Sequence, residues 1–112
     1  MVQLSHIHLA FEDFPAAVVY FQKVLELEPI EISEEMALFR CAGFDVVAHP
    51  DWGQGDTAMT LAFQSRDSEA DFSKAVKNGA IARTAPRRKS NSITADIYGP
   101  GKLVIEFEQI LS

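Results

Sequence analysis

Hydrophobic and polar positions alternate where the chain begins. In Leu4-Ser5-His6-Ile7-His8-Leu9-Ala10-Phe11, Ile7, Leu9 and Phe11 fall on one side and Leu4, His6, His8 and Ala10 on the other. That period of two predicts a strand with two usable faces. The period then changes. Asp13 ahead of Pro15 is a helix start signal, and Phe14, Ala17, Val18, Phe21, Val24 and Leu25 recur at steps of three and four. A helix with one apolar stripe is predicted over roughly Phe14 to Leu25. Beyond Pro29 come three short β-prone segments, Ile30 to Ile32, Met36 to Cys41 and Asp45 to His49, divided by polar residues and by Ala42-Gly43. The predicted order is βαβββ.

Asp51-Trp52-Gly53-Gln54-Gly55-Asp56 is polar and rich in glycine. It reads as a connector and not as a phosphate loop, because no strand and helix flank it in the required way. The pattern then restarts. Thr57 to Gln64 is strand-like, Ser68-Glu69-Ala70-Asp71 resembles a capped helix start, Phe72, Ala75 and Val76 supply an apolar stripe, and Gly79 after Lys77 and Asn78 reads as a C-cap. Ala80 to Arg83, Ser92 to Tyr98 and Leu103 to Glu108 follow as strands, with Gly99-Pro100-Gly101 as a turn. This is βαβββ a second time, in modules of about 1–52 and 56–112. The tripeptide Leu9-Ala10-Phe11 returns as Leu61-Ala62-Phe63 at an offset of 52, whereas setting Asp13 on Asp67 aligns the helices at an offset of 54. The helix offset carries more sequence and pairs His6 with Thr60; the other pairs His8 with Thr60. Either way position 60 is the counterpart of a histidine. Two such modules, each with a helix on one sheet face, form an α+β domain whose other sheet faces are free to line a common cleft, a cupped mixed sheet.

Composition narrows the function classes. Among 112 residues, 47% are hydrophobic and 23% charged, the balance of an ordinary globular domain. The longest apolar run, Ala16 to Phe21, is far below the roughly 18 residues that a membrane helix needs. The N-terminal stretch has neither a basic region nor a long apolar one, so cytoplasmic residence is the expectation. With 10 basic and 16 acidic residues the formal net charge is −6, which argues against nucleic acid as the main partner. Cys41 is the single cysteine, so an intrachain disulfide and a thiolate-rich zinc site are both excluded, and core packing is its expected role. The acidic run Glu26, Glu28, Glu31, Glu34 and Glu35 reads as a solvated connection between helix and strand.

Over nearly its whole length the chain resembles the vicinal oxygen chelate superfamily, the glyoxalase, bleomycin resistance and extradiol dioxygenase group. The resemblance lies in His6-Ile7-His8-Leu9 followed by Asp13 and by Val19-Tyr20-Phe21-Gln22-Lys23-Val24-Leu25, and in the closing Tyr98-Gly99-Pro100-Gly101-Lys102-Leu103-Val104-Ile105-Glu106-Phe107. It implies paired modules, commonly a homodimer, with a divalent metal (nickel, zinc, manganese or iron) and a small-molecule ligand inside the cup. The metal ligands implied come from the first and last strand of each module. His6 and Glu106 occupy two of these positions, while Thr60 and Val47 occupy the other two. His8 shares the face of His6, and His49 that of Val47, so a site of His6, His8, His49 and Glu106 is a further option. If the chain is an enzyme, the resemblance implies a metal-dependent lyase of the glyoxalase kind, with Glu106 as its catalytic base or a ligand, or a dioxygenase.

Each candidate has a structural alternative. His6 and His8 can be half-exposed residues of a polar strand face, Glu106 and Glu108 solvent-facing members of a strand whose buried set is Leu103, Ile105 and Phe107, and His49 a strand-end residue beside Pro50. A reading without metal makes the cup a drug- or metabolite-binding pocket of the resistance type; a third makes the chain a structural or regulatory dimer. Thr60, Trp52, Arg87 and Arg88 are the candidate ligand contacts. Trp52 can stack on a ligand or pack under its own loop. Arg83, Arg87, Arg88 and Lys89 form the basic cluster, predicted on the loop leading to Ser92 and suited to a carboxylate or phosphate.

Overall fold

A computed structural model describes residues 4–41 and 43–111. Met1, Val2 and Gln3 of the stretch read for an export signal, and Ala42 of the expected Ala42-Gly43 turn, lie outside the described residues. Among these residues no helix is long and apolar enough to cross a membrane. The chain forms two compact units, Met1–Thr57 and Ala58–Ser112.

In the first unit, β1 (His6–Phe11) leads to α1 (Phe14–Lys23) and then to β2 (Glu28–Ile32), β3 (Ala37–Cys41) and β4 (Phe44–Pro50). The Asp13 carboxylate accepts the Ala16 N–H at 3.2 Å, and Pro15 sits in the first turn, where its missing donor costs nothing. The helix therefore starts where the sequence places it. It ends at Lys23 with Val24 as its cap, short of Leu25. Its stripe of Phe14, Ala17, Val18 and Phe21 is buried against one sheet face carrying Leu9, Phe11, Phe39, Val46 and Ala48. Phe21 anchors the contact, with ring centroids 5.8 Å from Phe11 and 5.4 Å from Phe39. The strand order is β1-β4-β3-β2, with β1 and β4 parallel and the other pairs antiparallel.

The second unit repeats the scheme with β5 (Ala58–Gln64), α2 (Ser68–Lys77), β6 (Ile81–Arg88), β7 (Ser92–Tyr98) and β8 (Lys102–Ile110). Its order is β5-β8-β7-β6, with β5 and β8 parallel. Leu61, Ala95, Ile97, Leu103, Ile105 and Phe107 are buried on the face that α2 covers, and Ala75 is the buried apolar residue of that helix. Two βαβββ modules thus make up the chain.

Three expectations need correction. The cap of α2 is Asp67, whose carboxylate accepts the Ala70 N–H at 3.1 Å, and not Ser68; Ser68 is fully buried and donates its own N–H to Gln109 Oε1 at 3.0 Å. Both helices therefore begin behind an aspartate, Asp13 and Asp67, at the offset of 54 that their apolar stripes suggested. The second strand begins at Glu28, ahead of the predicted Ile30, so Glu28 and Glu31 of the acidic run lie in an exposed edge strand, paired with Arg40 and Leu38, and not in a connection. Finally, β6 is longer than the predicted Ala80 to Arg83 and takes in Pro86, Arg87 and Arg88, with register shifts at Ala82/Thr84 and Thr84/Arg87. Proline is tolerated there because β6 is an edge strand.

Because Phe21 is completely buried between two aromatic rings, Phe21→Ala should lower the stability of the domain by about 3–5 kcal/mol in chemical denaturation. Asp67→Ala, which removes only a cap, should cost about 1 kcal/mol.

Candidate functional site

Each helix covers one face of its sheet, so the residues with chemistry gather on the other. In the first unit the register sets His6 opposite Asp45, His8 opposite Val47 and Ala10 opposite His49. Paired residues project to the same side, so His6, His8, Val47 and His49 share the face away from α1. His6 and His8 are exposed, and their Nε2 atoms stand 3.1 Å apart. His6 Nδ1 is 2.7 Å from the Ser5 hydroxyl. A shallow cleft of about 610 Å³ opens nearby, lined by Ser5, Arg40, Cys41 and Asp45 among others. Cys41 is half-buried there and not a core residue; burial, with Asp45 adding to it, pushes its thiol pKa up and keeps it protonated.

His49 is the buried member of the three, at 4% exposure. Its Nδ1 lies 2.7 Å from the Pro50 carbonyl, which only accepts, so Nδ1 carries a hydrogen and donates it there. Its centroid is 6.0 Å from that of His8. Trp52 lies flat against His49, with centroids 4.0 Å apart and planes 11° from parallel. Trp52 is nevertheless 66% exposed, so its outer face is free.

The connector that carries Trp52 is fixed at both ends. Asp51 N–H donates to the Phe11 carbonyl at 3.0 Å, and Thr57 N–H to the Ala10 carbonyl at 2.9 Å. The unpaired outer edge of β1 is met in return: Ala10 N–H donates to Thr57 Oγ1 at 2.7 Å and Glu12 N–H to Asp56 Oδ1 at 2.8 Å. Between these ties the Asp51 carboxylate accepts the N–H groups of Gly53 and Gly55 at 2.7 and 2.8 Å, and Gln54 Oε1 accepts that of Trp52 at 2.8 Å. Gly53 and Gly55 have φ of 104° and 78°, conformations that a side chain would strain. The bonds from Gly55 and then Gly53 hold the Asp51 carboxyl below its ordinary pKa. Asp51, Gln54 and Thr57 escape a search for ligand-type residues, although an Asp-x-Gly-x-Gly run after a strand is the signal for such a turn.

In the second unit the face away from α2 carries Thr60 opposite Val104, and Glu106 between Ala62 on β5 and Asp96 on β7. Glu106 is half-buried between them. Arg83 donates from Nη1 to Asp96 Oδ2 at 3.1 Å, while Asp96 Oδ1 is buried with no hydrogen-bond partner among the described residues. Arg87 and Arg88 do not lie on a loop. They pair with Thr94 and Ile93 in β6, so only Arg87 shares the face of Glu106 and Thr60, and Arg88 points to the opposite side. The strand period separates two residues that the sequence grouped by charge.

Which positions correspond follows from the offset of 54 between the two aspartate caps, with which the parallel registers agree. At the helix offset of 54, His6 opposite Asp45 matches Thr60 opposite Val104, and Val47 opposite His8 matches Glu106 opposite Ala62. Each unit thus keeps one donor of the two expected, His6 in the first and Glu106 in the second, with Thr60 and Val47 in the remaining places. Valine offers no ligand atom and threonine a poor one. The four-donor metal arrangement that the resemblance implies does not fit the residues present.

No protein-family model and no curated protein matches the chain. Its fold is that of glyoxalase, bleomycin resistance and dioxygenase proteins. It is similar to a glyoxalase/bleomycin resistance protein/dioxygenase from Nocardioides, with 14% identity, a TM-score of 0.82 and coverage of 100% of this chain and 85% of that one. It is similar to lactoylglutathione lyase from Agrobacterium tumefaciens, with 15% identity, a TM-score of 0.78 and coverage of 97% and 94%. It is also similar to TnmS3, an antibiotic-binding protein from Streptomyces sp. CB03234, with 14% identity, a TM-score of 0.81 and coverage of 98% and 97%.

Trp52 is the only tryptophan, so its emission reports the stack on His49 alone. Asp51→Ala should shift that emission by freeing the loop. In the unaltered chain the Asp51 pKa is lowered, so its contribution is complete above the ordinary carboxylate range and is lost only as pH falls through the lower, folded value. The emission should stay constant while ordinary carboxylates titrate and change at more acid pH; a change centred on the ordinary range would contradict this assignment.

Proposed function

We propose that the chain is a small-molecule-binding protein that takes planar, π-rich ligands on the outer face of Trp52. The observation that carries this reading is the His49–Trp52 stack. A large aromatic ring, 66% exposed, is held flat by a buried imidazole on one side and by a hydrogen-bonded loop at its base. Preorganisation of this kind lowers the ordering cost of binding, and the free ring face supplies contact area with a preferred stacking geometry. The antibiotic-binding protein of the same fold supports the reading. A metal-dependent lyase or dioxygenase is the weaker proposal, because Thr60 and Val47 stand where donors are required. Homodimerisation belongs to the proposal too, supported by the exposed Ile30 and Ile32 on edge strand β2, as does residence in the cytoplasm.

The test is titration of the protein with a panel of planar polycyclic compounds (anthraquinones, acridines and flavins), followed by Trp52 emission and by calorimetry. Saturable quenching is expected from at least one class, and Trp52→Ala should weaken its binding by about tenfold or more. His49→Ala should weaken it less, through loss of the support beneath the ring. No quenching by any class, or unchanged affinity in Trp52→Ala, would sink the reading.

A further inference from the structure

Two strands end their sheets without a neighbour. β2 lies at the rim of the first sheet and β6 at the rim of the second, and among the described residues β2 pairs only with β3 and β6 only with β7. The connector meets the outer edge of β1, but among the described residues no loop does the same for β2 or β6. The two rims are opposite in charge. From Glu26 to Met36 the chain holds five glutamates and no cation, and from Ile81 to Lys89 three arginines, one lysine and no carboxylate. We propose that the acidic edge strand β2 of one copy of the chain pairs with the basic edge strand β6 of a second copy. This rests on the self-association proposed above and names its contact.

Charge selects the partner. An exposed strand edge is open to any other strand, and proteins guard such edges with proline, bulges and charge. Both rims carry all three: Pro29 with a register shift beside it on β2, and Pro86 with two shifts on β6. Proline offers no N–H, so these devices keep any ladder short and leave the choice of neighbour to the side chains. Two β2 edges would set glutamate against glutamate, and two β6 edges arginine against arginine. Only β2 against β6 sets carboxylates beside guanidinium forks, which match them in geometry as well as in sign. Within one chain Arg83 is held by Asp96, whereas Glu28, Glu31, Arg87 and Arg88 are exposed and have no ion-pair partner among the described residues.

The strand period supplies a second match. Glu28 stands opposite Arg40 and Glu31 opposite Leu38, and Arg40 and Leu38 stand opposite Asp45 and Val47, so both glutamates belong to the face away from α1. Arg87 belongs to the corresponding face of the second sheet, opposite Thr94. A ladder that continues the open face of one copy into that of the next therefore lays Arg87 beside the glutamates. Apolar area is covered in the same contact, since Ile30 and Ile32 of β2 are 41% and 48% exposed and Ile81 of β6 is 69% exposed. Each copy offers one edge of each sign, so two copies that make both contacts close as a dimer.

The experiment is a charge exchange followed by sedimentation equilibrium. One triple variant combines Glu28→Arg, Glu31→Arg and Glu34→Arg, and the other combines Arg87→Glu, Arg88→Glu and Lys89→Glu. All six positions are exposed, and circular dichroism checks that both variants are folded. The unaltered chain should dimerise, less tightly as salt is raised. Each triple variant alone should associate more weakly by about tenfold or more, because its two rims now share a sign. An equimolar mixture of the two should associate again, each chain supplying the edge that the other lacks. A chain that stays monomeric at every concentration removes the self-association proposed above together with this contact. A dimer that neither variant weakens leaves self-association standing and overturns the contact alone. The contact is equally overturned if the β6 variant dimerises as the unaltered chain does, as pairing of β2 with β2 would require, or if the mixture fails to associate.

Discussion

Parallel pairing of the first strand with the last in each unit is the constraint on which the rest depends. A parallel ladder cannot be closed by a tight turn, so the chain must leave β1, cross through α1 and return by way of β2 and β3 before β4 completes the pair. The helix carried by that crossover lands on one face and seals it with Phe14, Ala17, Val18 and Phe21. The histidines of the first unit and Glu106 of the second are consequently left on the other face. The same ladder fixes which residues meet there. His8 stands against Val47 and Ala10 against His49 in the first unit, as Ala62 stands against Glu106 in the second.

The outer edge of β1 is the second element of the design. A strand at the rim of a sheet presents unpaired backbone groups, and here Thr57 and Asp56 of the connector meet them. The satisfied edge and the placement of Trp52 are therefore one arrangement. The connector can bind β1 only by folding back at Asp51, and the two glycines at positive φ let its carboxylate gather their N–H groups. That fold lays the indole on His49. A loop that reads as a spacer is in fact the support of the most exposed aromatic side chain in the described chain.

Repetition of the module has not preserved its chemistry. Equivalent places hold His6 and Thr60 on the first strands, Val47 and Glu106 on the last. Imidazole and carboxylate are concentrated differently in each unit: three histidines on the open face of the first, Asp96, Glu106 and Glu108 on that of the second. Backbone geometry is conserved between the units because both helices need the same cap and the same apolar stripe; nothing in that geometry demands the same side chains on the uncovered faces.

The sequence by itself determined the module and its repetition. Period-two and period-3.6 patterns are local, and so are Asp13 with Pro15 and the Ser92 to Tyr98 strand, which the structure reproduces to the residue. The shared face of His6 and His8 was also legible, since two residues two apart on a strand cannot point to opposite sides. What depended on partners was not. The cap of α2 passed from Ser68 to Asp67 because Gln109, 41 residues away in sequence, takes the Ser68 N–H. Arg87 and Arg88 belong to a strand because Thr94 and Ile93 pair with them, and pairing then sends them to opposite faces. Trp52 meets His49 only through the folded connector. These outcomes rest on contacts between residues far apart in the chain, and only the tertiary structure decides them.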